Sequence, residues 1–364
     1  MWTHPDRPFQ DLPPLPPPDV ETPRVLKAVI GASRQLSALD MACRRLPDPS
    51  ILINSIPLLE AQASSEIENI VTTNDELFRA AHDALDEPIT PQIKEALSYR
   101  EALRTGFTSL QNRPITTRTA VDVCSCLQAA PMRIRDQPGT YIGNPVTGER
   151  IYTPPDGRDT ITSHLSSWER FIHGDHRIDP LVVMALQHYQ FEAIHPFNDG
   201  NGRTGRVLNL LYLIEQGLLE WPVLYLSGHI VRHKEGYYAA LRGVTQRDDW
   251  ESWIIYMVAA VEHTATWTLN LIDAISALRA ETEQRIRENR PKLRSAELTR
   301  LIFTQPYVRI SDIETAGIAV RQTASGWLHQ LADDGLLKQI RVGRSVIFVN
   351  TALLELLLHS TPPQ

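Results

Sequence analysis

The chain has 364 residues, 42% hydrophobic and 22% charged, enough to bury a core in two or three domains. Its formal net charge of −7 excludes a global basic field that would draw it to nucleic acid or a membrane. No apolar run of about 18 residues crosses a bilayer and no apolar leader opens the chain, so it reads as a cytoplasmic protein with no membrane partner. The three cysteines, Cys43, Cys124 and Cys126, form no C-x-x-C pair and suit a reducing compartment; Cys124 and Cys126 read as core.

In chain order, residues 12–18, LPPLPPP, cannot be helical and read as polyproline II over the surface. From Thr22 to Thr108 the pattern is helical, broken by Pro47, Pro49 and Pro88. Inside it, a helix begun by Ser55 and Pro57 carries SSEIEN, residues 64–69. Ser64 and Glu68 are four apart there and share a face; taken alone, Glu68 is a solvated helix acid. Residues 139–155, GTYIGNPVTGERIYTPP, mix Tyr, Ile, Val and Thr with Gly, Asn and Pro and read as a β-hairpin. Helices resume near Ile161. DPLVVMALQHYQFEAI, residues 179–194, has Asp179 as N-cap and Pro180 as first helical residue, and its nearly all-round apolarity predicts burial. HPFNDGNGRTGR, residues 195–206, joins it to a second apolar helix, VLNLLYLIEQG, stopped by Gly217. In EGYYAAL, residues 235–241, Tyr237 and Tyr238 read as one buried and one solvated ring. Residues 276–295 are charge-rich and broken by Pro291, a helix ending in a linker. Residues 296–350 form a unit of their own: Ser311 as a helix cap, a helix over 321–334 stopped by Gly335, and strands LLKQIRV and SVIFV flanking Gly343 and Arg344.

The loop at 195–206 carries the chemistry. Gly200, Asn201 and Gly202 permit tight turns whose N–H groups converge on one point. A helix starting at about Arg203 aims its positive end at the same point, and Arg203 and Arg206 add two guanidinium forks on one face. Like charges at a helix N-terminus are unfavourable without an anion, so the stretch describes a polyphosphate cradle with its charges waiting for the ligand. Asp199 is a hard oxygen ligand for Mg2+ beside the phosphates, and His195 a general base near neutral pH. A surface loop with Asn-Gly and Asp-Gly turns accounts for any one of these residues, but not for the combination.

HPFNDGNGRTGR matches without a gap the pattern H-P-F-x-D/E-G-N-G-R-x-x-R, and in this the chain resembles Fic-domain proteins, mostly AMP transferases that use ATP to modify a hydroxyl side chain of a protein. The resemblance implies that His195 deprotonates the target hydroxyl and that Asp199 binds Mg2+. It implies that Gly200, Asn201 and Gly202 form an anion hole and that Arg203 and Arg206, with Thr204 and Gly205 between them, bind the triphosphate. Attack at the α-phosphate would then expel pyrophosphate. The hairpin at 139–155 falls where the family's flap belongs, and a target segment would align there as an added strand. Tyr238 is the candidate support for the adenine. SSEIEN matches the family's inhibitory pattern S/T-x-x-x-E-G/N as Ser64, Glu68 and Asn69, and resembles the class whose inhibitory helix precedes the core in the same chain. The implied role of Glu68 is to pair with Arg206 and deny it to the γ-phosphate. The resemblance covers about residues 10–270.

The tail resembles a winged helix-turn-helix. Residues 291–350 hold eight Lys/Arg against five Asp/Glu; Arg321 is the only base on the third helix, and Asp333 and Asp334 oppose phosphate contact. Both DNA and protein remain open as its partner, as does a homodimer. The expected fold is mainly α: an N-terminal helical region with the inhibitory helix over 1–110, a Fic-type helical core with a hairpin flap over 111–275, a charged helix and linker over 276–295, and the winged helix over 296–364. The expected activity is Mg2+- and ATP-dependent AMP transfer to a Ser, Thr or Tyr hydroxyl of a target protein, self-modification included, restrained by Glu68. Two alternatives stand beside it: removal of AMP with Glu68 orienting a water, and a nucleotide-sensing DNA-binding regulator. The intact His195 argues against the last, since binding alone needs no base.

Overall fold

The structure, a computed structural model, describes residues 2–46, 48–84, 88–143, 147–293 and 295–359. The expected mainly α architecture is present, with fifteen α-helices among the described residues. The N-terminal region holds α1 (Pro23–Arg45), α2 (Ser50–Ile67), α3 (Asn74–Ala81) and α4 (Pro91–Leu110). After α5 (Thr117–Leu127), strands β1 (Ile142–Gly143) and β2 (Arg150–Tyr152) pair antiparallel with Ile142 opposite Tyr152. Then come α6 (Arg158–Ile172), α7 (Pro180–Ile194), α8 (Asn201–Glu215), α9 (Leu226–Arg232), α10 (Lys234–Arg247) and α11 (Trp250–Asn289). The tail consists of α12 (Ala296–Thr304), β3 (Tyr307–Val308), α13 (Ile310–Thr315), α14 (Arg321–Asp333), β4 (Lys338–Val342), β5 (Ser345–Val349) and α15 (Thr351–His359).

Helix starts follow their capping residues. Thr22, Thr90 and Asp179 each accept from a backbone N–H of the first turn, and each is followed by Pro, whose missing N–H is no loss there. α7 is apolar all round because α6, α8 and α11 pack against it, and residues from Leu181 to Ile194 are almost all buried. α1 lies along α11. At 40 residues, α11 is about 60 Å long and runs unbroken through residue 275, where a domain boundary was expected; its apolar stripe, from Trp253 through Ile275 to Ile286, does not pause there. No described helix is long and apolar enough to cross a membrane.

Several expectations need correction. α2 starts at Ser50, not Ser55, and carries Pro57 inside it; the helix ends at Ile67, so Glu68 is its C-cap. Around it, Ile51, Leu52 and nearly every later residue are buried, which offsets the hydrogen bond that Pro57 removes. The proline-rich stretch does not simply ride the surface, because Leu12 is buried against the core. Cys124 is buried as expected, but Cys126 only partly. Pro47 and residues 144–146 of the hairpin lie outside the described residues. In the tail, Arg309 rather than Ser311 caps α13, and a third strand, β3, joins the two expected ones in the order β3-β5-β4.

Two sets of contacts place the site. Tyr152 at the hairpin's base donates to the Ala193 carbonyl at 2.7 Å, fastening the hairpin to the end of α7. Phe9 donates its N–H to the Thr153 carbonyl at 3.0 Å, and Trp2 stacks on Phe9, so the N-terminal segment runs beside the hairpin. Elsewhere the tail docks on the N-terminal region. Asn54 of α2 donates to the Thr304 carbonyl at 3.2 Å, Arg309 donates to the His82 carbonyl at 2.6 Å, and Tyr307 stacks on His82.

Candidate active site

Two buried helices present one loop. His195 ends α7 in the left-handed region (φ 50°), and Gly200, at φ 81°, turns the chain into α8. That conformation favours glycine at position 200, and a Cβ there would also press on Gln128 at 2.8 Å. α8 begins at Asn201, two residues before the expected start. Helix geometry leaves the first-turn N–H groups of Asn201, Gly202 and Arg203 without helical acceptors. The Asn201 side chain does not face a ligand; it staples the loop, accepting from the Phe197 N–H and donating to the Phe197 carbonyl, both at 2.8 Å. Asn201→Ala is expected to cost about 1–3 kcal/mol in urea unfolding, because it leaves two buried backbone groups unpaired. Thr204 and Gly205 support the site from behind. Thr204 is buried with its N–H on the Gly200 carbonyl, and a Cβ at 205 would strike the Glu192 carboxyl at 2.5 Å.

The two arginines do not wait unpaired. Arg206, 1% exposed, spends its side-on edge on α2: Nε donates to Ser64 Oγ at 2.8 Å, and Nη2 donates to the Ser64 carbonyl at 2.9 Å and to Glu68 Oε1 at 2.8 Å. Burial disfavours the Glu68 carboxylate, but Arg206 outweighs it and holds the carboxyl below its usual range. Asn69, at φ 64°, turns the chain out of α2 and accepts from Lys234 at 3.0 Å. So Ser64, Glu68 and Arg206 meet in space, and Asn69 supplies the left-handed turn that stops the helix at Glu68. Arg203, 3% exposed, pairs through Nη1 with Glu95 of α4; its Nη2 lies 3.9 Å from Asp199 Oδ1, and its buried Nε has no partner among the described residues.

His195 sits beside them. Burial, then the Arg135 guanidinium, pushes its imidazole down to about 4, against the opposing pull of Glu68, the Glu192 carbonyl and Asp199. The ring is therefore neutral at neutral pH, lower in basicity than the sequence suggested. Arg135, itself buried, donates through Nε to the His195 carbonyl at 2.8 Å and through Nη2 to the Ile194 carbonyl at 3.4 Å, fixing the turn that carries the ring. Glu192 lies one turn before His195, and burial lifts its carboxyl to about 7. No motif pointed to Arg135, Glu192 or Glu95; each acquires its place only through packing.

Glu68, Glu95, His195, Asp199, Gly200, Gly202 and Arg203 line a cavity of about 310 Å3. Tyr238 is not among its lining residues. It lines a neighbouring cavity of about 900 Å3 with His229, His233, Lys234 and Tyr256, still close enough for Glu68 and Arg206 to bear on its hydroxyl. Tyr237 is buried with its hydroxyl 2.8 Å from His188 Nε2, while Tyr238 is half-buried rather than solvated.

The family model described as Fic/DOC family N-terminal matches residues 26–108, that described as Fic/DOC family matches 118–213, and that described as protein adenylyltransferase SoFic-like, C-terminal domain, matches 278–353. A probable protein adenylyltransferase of Aquifex aeolicus is 40% identical over 97 residues, 27% of each chain. The protein adenylyltransferase Fic of Aedes aegypti is 32% identical over 121 residues, 32% of this chain and 22% of that protein. The chain thus spans about a quarter of the length of these curated relatives. A Fic family protein from Desulfovibrio desulfuricans G20 has the same fold over 92% of this chain and 98% of its own, with a TM-score of 0.57 at 18% identity. Fic-1 from C. elegans gives 0.53 at 18% identity over 68% of this chain and 73% of its own. Three models that follow one another along residues 26–353 place the chain in the Fic/DOC family.

Proposed function

We propose that this protein transfers AMP from ATP to a Ser, Thr or Tyr hydroxyl of a target protein, and that Glu68 restrains the reaction. The observation that carries the reading is the arrangement around α8: a neutral imidazole, unpaired helix N–H groups and two buried guanidiniums converge where α2 inserts a carboxylate. His195 accepts the hydroxyl proton of the incoming side chain. The first-turn N–H groups and Arg203 hold phosphate oxygens, so catalysis is mostly positioning and charge. Arg206 reaches a γ-phosphate only when Ser64 and Glu68 release it. The base of the flap, tied to α7 by Tyr152, holds a target segment near His195. Tyr238 supports the adenine from the adjoining cavity.

Asp199 fits Mg2+. Its carboxylate is 72% exposed at the cavity, and among the described residues no three His, Cys, Asp or Glu side chains cluster into a complete metal cage. One protein carboxylate, with phosphate oxygens and waters filling the remaining positions, is the arrangement Mg2+ prefers. When bound, the ion neutralises charge on the phosphates. Asp199→Ala is expected to reduce transfer to background and abolish its response to added Mg2+; persistent Mg2+ stimulation would move the metal to other residues.

The tail reads as a winged helix whose partner is a protein or DNA. Arg321 is spent on Glu314 and Asp334 on Arg290, which leaves Lys338, Arg341 and Arg344 as the basic residues of the wing. The deciding experiment incubates the protein with labelled ATP, Mg2+ and cell lysate and identifies modified peptides by mass spectrometry. A mass increase of one AMP on the protein or on a target supports the reading; labelled ATP that is bound and never transferred sinks it.

A further inference from the structure

The two buried arginines are held by opposite ends, and the difference separates their partners' roles. A guanidinium has a side-on edge, formed by Nε–H and one Nη2–H, that meets two oxygens of a phosphate or carboxylate in parallel. Nη1 lies on the other side. In Arg206 the side-on edge is fully used by Ser64 and Glu68. In Arg203 the carboxylate of Glu95 takes Nη1 alone. The side-on edge is left over: among the described residues the buried Nε has no partner, and Nη2 stops 3.9 Å short of Asp199 Oδ1, outside hydrogen-bond range. A buried donor costs free energy when unmatched, so an empty edge inside a folded protein marks a place for an acceptor. It sits on the Asp199 side, in the cavity that the first turn of α8 also lines.

We infer that Glu95 is a positioning residue for the nucleoside triphosphate: by gripping Nη1 of Arg203 it keeps the Nε/Nη2 edge aimed at the phosphates beside Asp199. Glu68 and Glu95 thus make the same kind of ion pair with opposite consequences. Glu68 covers the edge that a phosphate needs, whereas Glu95 presents it. α4 is suited to the task. Tyr99, one turn after Glu95, is buried with its hydroxyl 3.2 Å from Glu60 of α2, so the helix that aims Arg203 is anchored beneath the helix that blocks Arg206. Without Glu95, Arg203 would keep its charge and lose its orientation, and a long side chain free to rotate binds a bidentate ligand less well.

This inference rests on the reading of the loop as a triphosphate cradle, and the test separates the two. Affinities of the full chain for Mg·ATP and for adenosine are measured by calorimetry for the parent, Glu95→Ala, Glu95→Gln and Arg203→Ala. Glu95→Ala is expected to weaken Mg·ATP binding by about 10–100-fold and leave adenosine unchanged, because only the phosphates meet Arg203. Glu95→Gln should recover most of the affinity, since its amide oxygen still accepts from Nη1. In a Glu68→Gly background the same Ala substitution should raise KM for ATP more than it lowers kcat. Unchanged or tighter ATP binding by Glu95→Ala would make Glu95 a bystander or a competitor. Equal losses for ATP and adenosine would make its role merely structural, and either result overturns the inference. If Arg203→Ala itself leaves ATP affinity intact, the cradle reading fails first.

Discussion

His195→Ala is expected to lower AMP transfer by about 10²–10⁴-fold while Mg·ATP binding stays within a few-fold of the parent. The imidazole ends α7 beside the cavity, and its proposed work is the proton of the attacking hydroxyl. Its acidity gives the prediction a second arm. Burial sets the imidazole at about 4. The base form is the neutral one, so activity is lost as pH falls through the imidazole's pKa and retained above it. A bound triphosphate brings negative charge nearby, which favours the protonated ring and moves that limb upward from 4. Single-turnover rates across pH, measured in a Glu68→Gly background for signal, should show an acid limb that disappears with His195→Ala. An Ala variant that keeps both the rate and the limb would reassign the base.

Glu68→Gly is expected to raise transfer by about 10–100-fold, the equivalent of releasing one charge-assisted hydrogen bond of about 1.5–3 kcal/mol. The gain should fall mainly in kcat, because the contact competes for the productive pose of the triphosphate as well as for its binding. The structure sharpens the control. Glu66, in the last turn of α2, accepts from Gln62 at 2.8 Å and lies away from Arg206. Glu66→Gly places glycine inside the helix, at about 1 kcal/mol, and should lose stability without gaining activity. Glu68 is the C-cap, where glycine is well tolerated, so its cost comes instead from leaving Arg206 without its carboxylate. Melting of Glu68→Gly should drop without nucleotide and recover with Mg·ATP, which supplies new acceptors and stabilises the folded state by mass action. Equal initial rates of self-modification for the parent and Glu68→Gly would remove the inhibitory role.

The contiguous parts of the site were legible because local rules govern them. Asp179-Pro180 sets the start of α7, the glycine at 200 sets the turn, and four-residue spacing brings Ser64 and Glu68 to one side. Long-range effects were not legible. Glu95 is 108 residues from the arginine it holds, and Arg135 is 60 from the carbonyl it fixes; neither lies in a pattern that separates it from an ordinary surface charge. Pro57 misled by the same logic, since a local breaker is overridden where burial surrounds the helix. β3 is two residues long, too short to alternate visibly, and exists because Tyr307 and Val308 find β5. The depressed acidity of His195 is likewise a property of the folded cavity, which no window of sequence contains.

The docking of the tail on α2 and on the residues after α3 has a thermodynamic consequence. Asn54, which meets the tail at Thr304, and Glu68, which meets Arg206, ride on one cap-to-cap stretch of helix, while Arg309 grips the carbonyl of His82 on the far side of α3. The energy that seats α2 is therefore shared between two distant surfaces. Linkage between such surfaces is reciprocal: a ligand that binds one seating of α2 better than another shifts the affinity of every other ligand with the opposite preference, by the same factor in each direction. A partner that bound the tail and preferred one seating of α2 would therefore shift the affinity of the nucleotide cavity, and nucleotide would shift the partner's affinity by the same factor.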